Sequence, residues 1–549
     1  MVSTRGAERM GSLTGRGAVT SVVALAVCMS GASTLTACAA YSDDCSEKLA
    51  CAPDAEAPPD PCVGEPGTAP ALDKCGVFVS EQGDDNSPGT KGAPVKTLQH
   101  AIGLAAHGRG RGEAPTRRVY ACGGSFEEKI TLPSGVDLWG GRLCDGGDWS
   151  YDGSFGGPNH PTIIAPPAGI PLRVIADDKE HATSTVFGVV VEAADASADD
   201  GKSSIAMILS SGARAIVRES KIVAGNGKDG EPGQDADSER ATDGVVGNHG
   251  ADACTADAAV GALPVVTVCD DGIESTGGYG GDGGLDVGGD GAPGQPATAE
   301  VSERDGRGGV GADATRCKDG NDGADGADAG RAGGAFGPGI LSDDGWIGVR
   351  GEDGKKGGVG HGGGGGGGSK SRGDMVACRI GGPQGGAAGG SGGSGGCGGQ
   401  GGYGGGYGGA SIGIVALDGT EFTVAASDVF TGKGGQGGVG GTGQPGGIGR
   451  RGGPGGAGFG PEMWDACKGG TGGNGGRGGD AGGGLGGASV GIAYVVPNFT
   501  IRPGTNIVAG GAGQGGLAGN AGPNDQVGKG ANGPWGELYR FGAASEPPR

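Results

Sequence analysis

Asp145, Asp148 and Asp152 form the one tight group of carboxylates near the β-rich part of the sequence. Paired carboxylates let polysaccharide-cleaving enzymes protonate a leaving group and activate a nucleophile. Trp149 and Tyr151, beside them, could stack on sugars, although packing in a core is the favoured alternative. Glycines surround the three aspartates, so a turn is favoured over an active site. The aspartates are retained as candidate catalytic residues on those terms.

A calcium site is a second possibility, at Asp282. The segment 277–282, Gly-Gly-Tyr-Gly-Gly-Asp, is similar to the nonapeptide repeat of calcium-binding β-rolls. That repeat requires a large apolar residue where this chain has Gly284, and no second nonapeptide follows in register. The six histidines have neither metal-ligand spacing nor a nucleophile partner. We therefore expect no cofactor, with calcium at Asp282 as the alternative.

The first 37 residues have the layout of a signal peptide. Basic residues precede a short apolar run, Val22 to Val27, and small residues follow it. The apolar run is too short to cross a bilayer, and no second long apolar stretch exists. Export is therefore predicted.

The four residues Leu35-Thr36-Ala37-Cys38 resemble the lipobox of bacterial lipoproteins. The resemblance implies cleavage before Cys38 and lipidation of its thiol, so that the membrane is a partner through Cys38. Ala39 follows the cysteine, which in that family implies the outer membrane rather than retention at the inner one. An ordinary secretory signal with an unrelated cysteine is the alternative.

Composition excludes several classes of protein. Glycine supplies 140 of the 549 residues and aromatic residues only 4%, so a large conventional hydrophobic core is excluded. The net charge of −22 repels a phosphate backbone, so we expect no nucleic-acid partner. Solubility is the favoured reason for the acidity, and binding of divalent cations is the alternative.

Cysteine usage predicts disulfide bonds. Of the 14 cysteines, Cys28 would leave with the signal peptide and Cys38 would carry the lipid, which leaves 14 − 2 = 12. An even number in an exported chain favours disulfides, but spacing alone does not define their pairing. Four of the twelve lie in the Pro- and acid-rich segment 38–75, which we interpret as a stapled tether.

After the tether the chain reads as one helix followed by short strands. Apolar residues recur at helical spacing over 95–105, with Pro94 suited to the first turn and Gly108 to the stop. The β-prone runs are 77–79, 118–121, 129–132, 136–139, 162–164, 172–175 and 185–191. Runs of this length, separated by Gly, Asn and Asp turns, predict an all-β fold.

The order of these motifs resembles a known family. Gly83 to Thr90, the helix from Pro94 to Ile102, and Gly124 to Val136 look like the start of pectin-lyase-like right-handed parallel β-helices. The resemblance covers about residues 76–225 and implies that the helix caps one end of a stack of β coils. It implies nothing about activity, because that fold carries many functions.

A repeat supports stacking independently of the resemblance. The segments 204–225, 411–432 and 489–510 align; each begins with a serine and ends at a glycine 21 positions later. The matching residues are mostly β-branched, which weakens the alternative of a chance match among glycines. A single unit cannot bury its apolar face alone, so the repeat predicts a solenoid with the three serines at equivalent positions.

The glycine-rich insertions after these units have three interpretations. Collagen is disfavoured, because the unbroken run Gly362 to Gly368 breaks the Gly-X-Y register. Runs such as 469–479 have period three, which matches polyproline II and permits lateral packing. They resemble the Gly-Gly-X domains of mycobacterial PGRS proteins. Polyproline-II-like order is favoured, and disorder is the alternative.

These observations divide the chain into alternating parts. The predicted ranges are a signal peptide (1–37), a tether (38–75), a β-helix with its cap (76–225), a Gly-rich insertion (226–409), a coil (410–432), a second insertion (433–487), a further coil (488–510) and a Gly-rich tail (511–549).

The predicted function is that of a non-enzymatic, lipid-anchored protein of the cell surface that displays its Gly-rich arms for a structural or adhesive role. Extracellular polysaccharide or other surface proteins are the expected partners. The alternatives are a polysaccharide lyase or hydrolase of the pectin-lyase-like fold, with Asp145, Asp148 and Asp152 as its candidates, and a non-catalytic carbohydrate-binding protein.

Overall fold

The computed structural model describes residues 60–110, 112–154, 157–177, 182–197, 202–297, 302–371, 378–461 and 463–542. All of them except Asp60 belong to one compact unit that begins at Pro61. Residues 61–75, assigned to the tether from the sequence, thus lie in that unit. The leader, its cleavage site and Cys38 lie outside the described residues.

The described residues contain one helix and short strands. The helix, α1, is Leu98–His107. The strands are β1 Val77–Val79, β2 Arg118–Cys122, β3 Gly124–Phe126, β4 Ile130–Pro133, β5 Asp137–Arg142, β6 Gly153–Ser154, β7 Gly157–Pro158, β8 Thr162–Ile164, β9 Leu172–Ile175, β10 Ser184–Phe187, β11 Val189–Ala193, β12 Ser204–Leu209, β13 Arg214–Arg218, β14 Lys221–Ala224, β15 Val266–Val268, β16 Glu274–Thr276, β17 Ile340–Ser342, β18 Gly345–Ile347, β19 Ser411–Ala416, β20 Glu421–Ala425, β21 Asp428–Thr431, β22 Ser489–Tyr494, β23 Phe499–Ile501, β24 Asn506–Val508 and β25 Trp535–Arg540.

Three parallel sheets contain most of these strands, as the all-β prediction required. Sheet I has the order β1-β2-β5-β10-β13-β20-β23, sheet II the order β4-β9-β12-β19-β22-β25, and sheet III the order β3-β8-β11-β14-β21-β24. From β12 the chain visits sheets II, I and III in that order three times, and then returns to sheet II in β25. The remaining strands form three antiparallel hairpins, β6–β7, β15–β16 and β17–β18.

The pairing register confirms the alignment of the repeat. In sheet II, Ser204 lies beside Ser411 and Ser411 beside Ser489. Each serine hydroxyl donates to a main-chain carbonyl; that of Ser411 reaches Gly225 O at 2.6 Å, and that of Ser489 reaches Gly432 O at 2.9 Å. The serines therefore close the corner at which each Gly-rich insertion leaves sheet III.

Helix α1 begins at Leu98, four residues after the proline that the sequence placed in its first turn. Thr97 is the N-cap, and the Glu128 carboxylate accepts the N–H groups of the first two helical residues, at 2.7 and 3.0 Å. Val95, counted in the apolar stripe, instead pairs in a short bridge with Val79. The N-cap, and not the apolar spacing, therefore determines where α1 begins. The buried face of α1 packs on β1, β2 and β4, at the first end of the sheets.

The central strands of sheet II, β12, β19 and β22, are buried on both faces. Ile414 and Ile492 belong to the core cluster that the three sheets share. Val415 and Ala493, next along the same strands, face the other way and pack in a second cluster with Leu485 of the Gly-rich sequence. This explains why β12, β19 and β22 read as continuous small or apolar runs rather than as alternating ones.

The described Gly-rich residues between positions 226 and 533, outside the strands, form extended segments that we call the glycine bundle. Main-chain hydrogen bonds join neighbouring segments at every third residue: the N–H groups of Gly227, Gly230 and Gly233 donate to the carbonyls of Lys433, Gln436 and Val439 at 2.8, 2.7 and 2.7 Å. A three-residue period is that of polyproline II. The residues form lateral ladders rather than isolated arms.

The unbroken run Gly362 to Gly368 is covered on all sides. A Cβ built on Gly365, Gly366 or Gly367 would lie 1.7, 2.1 or 2.2 Å from a carbonyl oxygen of three different segments. The N–H groups of the same three residues donate to a further three segments, at Ala292, Gly390 and Lys318. These three residues make up one turn of a polyproline-II-like helix, and each of its three faces requires glycine. This explains why the run from Gly362 to Gly368 is unbroken.

Five disulfides confirm the expectation drawn from cysteine usage. The structure also defines their pairing, which the spacing of the cysteines left open. Three of them join parts of the glycine bundle that are more than 120 residues apart in sequence. The pairs are Cys62–Cys75, Cys122–Cys144, Cys254–Cys378, Cys269–Cys397 and Cys317–Cys467.

Replacing a buried isoleucine of sheet II by aspartate should lower the free energy of unfolding. For Ile205→Asp, Ile414→Asp and Ile492→Asp we expect a loss of about 3–5 kcal/mol, because packing is lost and an unpaired carboxylate is buried. Ile380→Asp is the control, since Ile380 is 92% exposed. Urea unfolding followed by circular dichroism measures the difference, and equal stability in all four variants would contradict the packing.

Adding one methyl group should lower the stability at a glycine packed against carbonyl groups, but not at a glycine with open space beside it. Gly365→Ala should cost about 1–3 kcal/mol or more, because its Cβ has no space beside the Tyr279 carbonyl. Gly522→Ala, whose Cβ would meet nothing within 4 Å, should stay within about 0.5 kcal/mol of the parent. Thermal unfolding of both variants tests this, and a Gly365→Ala protein of parental stability would show that the central segment is not close-packed.

Candidate functional site

The three candidate aspartates lie in the turn-rich segment between β5 and β6. Asp145 and Asp148 are exposed, and Asp148 accepts the Ser150 N–H at 3.3 Å. Asp152 contacts the His160 Nδ1 at 2.6 Å. The hydrogen bond from Ser150 lowers the pKa of Asp148, and that from His160 lowers the pKa of Asp152. Both stay ionised at neutral pH, whereas a general acid needs a raised pKa.

The aromatic residues beside these aspartates serve packing. Trp149 is 2% exposed and meets the Phe78 ring edge-on at 4.8 Å. Tyr151 lies against Phe187 at 4.8 Å, and its hydroxyl donates to Glu219 Oε2 at 3.1 Å. Burial and the neighbouring Glu219 raise the pKa of Tyr151. Both rings therefore pack against other aromatic residues.

Arg142 is the largest buried side chain of this region, and the sequence analysis did not identify it. Its guanidinium lies 5.3 and 5.7 Å from the ring centres of Tyr120 and Trp139, and its Nη2 donates to Pro66 O at 2.6 Å. Burial lowers the pKa of Arg142 to about 10. Arg142 therefore ties the segment 61–75, which Cys62–Cys75 closes, to sheet I through a buried cation among aromatic rings.

Asp282, the calcium candidate, uses one carboxylate oxygen for the main chain: Oδ1 accepts the Gly261 N–H at 2.7 Å. In the part of the chain that the structure describes, no three or more His, Cys, Asp or Glu side chains are grouped so that they could hold a metal ion. The contact of Asp282 is a structural one, and calcium there stays a prediction.

The same contact recurs along the glycine bundle. The Oδ1 atoms of one series of aspartates, spaced three residues apart, accept main-chain N–H groups of the neighbouring segment. These are Asp319 from Lys468 at 3.2 Å, Asp322 from Thr471 at 2.6 Å, Asp325 from Asn474 at 2.8 Å and Asp328 from Arg477 at 2.7 Å. An outer N–H has no further segment to donate to, so the carboxylate satisfies it. Part of the acidity therefore supports the backbone, a role that composition alone did not indicate.

Asp480 is a buried, charged carboxylate of the bundle. It is 7% exposed, accepts Arg477 Nη2 at 2.7 Å, and accepts the Gly443 N–H at 3.0 Å. Burial raises the pKa of Asp480, but the hydrogen bonds from Arg477 and Gly443 outweigh it, so the pKa lies below its ordinary value of 3.8. The ionised form therefore stabilises the folded state.

Asp480→Asn should lower the free energy of unfolding by about 1–2 kcal/mol at neutral pH. A lowered pKa in the folded state adds stability that is complete above the unfolded pKa and is lost as pH falls through the folded pKa. The difference in the free energy of unfolding between parent and variant should therefore disappear in acid. Urea unfolding midpoints measured across a pH series would show this. Asp145→Asn, at an exposed turn carboxylate, is the control and should change the stability little at any pH. A difference between parent and Asp480→Asn that does not depend on pH would contradict the assignment.

Comparisons with known proteins give no relative: no protein-family model, curated protein or solved structure matches the chain. Within the described ranges, no helix has both the length and the apolar character that a bilayer crossing needs.

Proposed function

We propose that this chain is a non-enzymatic, lipid-anchored surface protein of a bacterial envelope. In this proposal a right-handed parallel β-helix carries the glycine bundle as a rigid display module. The parallel pairing of sheets I, II and III, visited in a constant order, supports the β-helix, and α1 would be its cap. The anchor rests on the lipobox-like residues before Cys38.

One observation carries the display function: the burial of β12, β19 and β22 of sheet II on both faces. A pendant, unstructured arm would leave the outer face of sheet II in water, whereas Val415 and Ala493 pack on residues of the bundle. The three bundle disulfides add to this, because each closes a loop of more than 120 residues. A stiff projection joined to a stack of strands suits presentation of a surface at a distance from the membrane.

The three candidate aspartates do not favour the enzymatic alternative. A lyase or hydrolase requires an acid and a base facing the same substrate atom. Hydrogen bonds lower the pKa values of Asp148 and Asp152, and Asp145 is an exposed turn residue. Display is therefore the function that these residues favour, and non-catalytic binding of a glycan is compatible with it.

The anchor is tested with a cysteine substitution. Cys38→Ala should move the protein from the membrane fraction to the soluble fraction, because the lipid-bearing thiol is removed. Cys28→Ala, directly after the apolar run of the leader, is the matched control and should stay with the membranes. Immunoblots of both fractions give the result, and unchanged partitioning of Cys38→Ala would refute the anchor.

Exposure of the protein at the cell surface can be measured in the same cells. An impermeant amine-reactive biotin should label intact cells that carry the parent protein, since exposed lysines such as Lys468 project from the bundle (68% of its side chain is exposed). Labelling only after lysis would contradict display.

A further inference from the structure

The six cysteines of the glycine bundle pair in an interleaved order. Counted along the chain, the first pairs with the fourth, the second with the fifth and the third with the sixth. The bonds are Cys254–Cys378, Cys269–Cys397 and Cys317–Cys467. Among all complete pairings of six cysteines, this is the one in which every bond crosses both of the others. Each of the six is therefore joined to a cysteine other than its neighbour in sequence.

The two disulfides outside the bundle follow the opposite rule. Cys62–Cys75 and Cys122–Cys144 each join consecutive cysteines, 13 and 22 residues apart. The bundle bonds span 124, 128 and 150 residues. The first thiol of each bundle bond therefore meets nearer cysteines before it meets its partner.

The nearest cysteine has a kinetic advantage in the unfolded chain. Cys269 is 269 − 254 = 15 residues from Cys254, whereas Cys378 is 124 residues away. The probability of contact falls with about the three-halves power of the separation, which favours Cys269 about 20-fold. Export that begins at the N-terminus adds to this preference, because Cys269 precedes Cys378 into the oxidising compartment. Oxidation alone therefore favours consecutive bonds.

The fold cannot direct the pairing until most of the bundle has assembled. The Cys254 N–H donates to Gly385 O at 3.0 Å, and the Ala388 N–H donates to Ala251 O at 2.8 Å. Both hydrogen bonds reach across more than 130 positions of sequence (385 − 254 = 131). Cys254 is therefore placed beside its partner only after the later segments have been added.

A bond between Cys254 and Cys269 is incompatible with the finished bundle. Cys254 lies beside Gly385, while Cys269 is bonded to Cys397. The extended chain from Gly385 to Cys397 covers about 37 Å, at about 3.1 Å per residue. A disulfide needs Cα atoms within about 7 Å of each other. A consecutive bond must therefore be broken before the native bonds can form.

This rearrangement belongs to a stage at which the bundle is still open. In the finished structure Cys269, Cys378 and Cys397 are 5%, 5% and 2% exposed. An attacking thiolate needs access to a sulfur atom, so burial protects the native bonds from exchange. Consecutive bonds in an open chain have no such protection.

We propose that maturation of the glycine bundle depends on a thiol–disulfide isomerase of the envelope. The isomerase thiolate attacks the Cys254 sulfur of a Cys254–Cys269 bond, forms a mixed disulfide with Cys254 and releases the Cys269 thiolate. The Cys378 thiolate then attacks the Cys254 sulfur of the mixed disulfide and releases the isomerase thiolate. One disulfide is exchanged for another, so no net oxidation occurs.

A second envelope protein, a thiol oxidase, makes the first bonds. Its own disulfide takes up the two electrons and two protons that each pair of bundle thiols gives up. The inference rests on the proposed export of the chain to an oxidising envelope, and it adds a partner that acts before the bundle is displayed.

The test starts from full-length protein that is reduced, denatured and then diluted into native buffer. One sample receives diamide, an oxidant without a thiol. A second receives diamide and then a bacterial disulfide isomerase with reduced glutathione. Cleavage before aspartates and after basic residues puts each of the six bundle cysteines in a separate peptide, so mass spectrometry without reduction identifies the bonds.

Diamide alone should give all three native bundle bonds in no more than about one chain in 15, the share expected from random pairing. Peptides joined through Cys254 and Cys269 should be prominent in that sample. The isomerase should raise the native share at least about fivefold. Native bonds in most chains after diamide alone, or no gain with the isomerase, would overturn the proposal.

Two controls separate pairing order from a general failure to fold. In the diamide sample Cys62–Cys75 and Cys122–Cys144 should form correctly, since each joins consecutive cysteines. A matched variant keeps only Cys254 and Cys378 in the bundle and should form that bond without the isomerase; its changes are Cys269→Ala, Cys317→Ala, Cys397→Ala and Cys467→Ala. Mispairing of these controls as often as of the bundle would contradict the proposal. These assays need neither anchor nor display, which Cys38→Ala and biotin labelling test separately.

Discussion

The structure depends on how closely two polypeptide backbones can approach when no Cβ stands between them. In the glycine bundle, N–H groups meet carbonyls of neighbouring segments at about 2.8 Å, as between Gly227 and Lys433. A methyl group on Gly365 would lie 1.7 Å from a carbonyl oxygen, so the same contact is impossible for any other residue. Hydrogen bonding between main chains thus replaces the apolar core that 4% aromatic residues could not supply.

The apolar side chains pack between the three sheets and between sheet II and the glycine bundle. Core residues such as Ile414 hold the three sheets together, and Leu485 joins sheet II to the bundle. Aspartates take over at the outer rows, where carboxylates such as that of Asp325 accept N–H groups that have no further segment. Three chemistries therefore follow one another outward from the sheets: apolar packing, main-chain ladders and carboxylate caps.

Sequence reasoning reached the parts of this architecture that local pattern encodes. The alignment of Ser204, Ser411 and Ser489 predicted their neighbouring positions, because equivalent units in a stack pair in register. The predicted start of α1 was wrong, because the carboxylate of Glu128, 30 residues after Leu98 in the sequence, accepts the first N–H groups of the helix. Three of the five disulfide pairs, and many contacts between Gly-rich segments, join residues more than 100 positions apart. Because the Gly-rich segments are so similar in sequence, local pattern does not indicate which of them are neighbours. At the candidate site, Asp145, Asp148 and Asp152 lie in the turn-rich segment between β5 and β6. Nothing in the local pattern distinguished Arg142, because its partners come from distant segments such as that of Pro66.

The serine-closed corner has a consequence for how such a chain can lengthen. Each Gly-rich insertion leaves sheet III and must come back to sheet II beside the point of departure, as Gly225 and Ser411 do. Segments are therefore added as outward and returning pairs, and a pair can be duplicated or deleted without shifting the register of the sheets. Over evolutionary time the projection can change its girth while the stack below keeps the same number of layers.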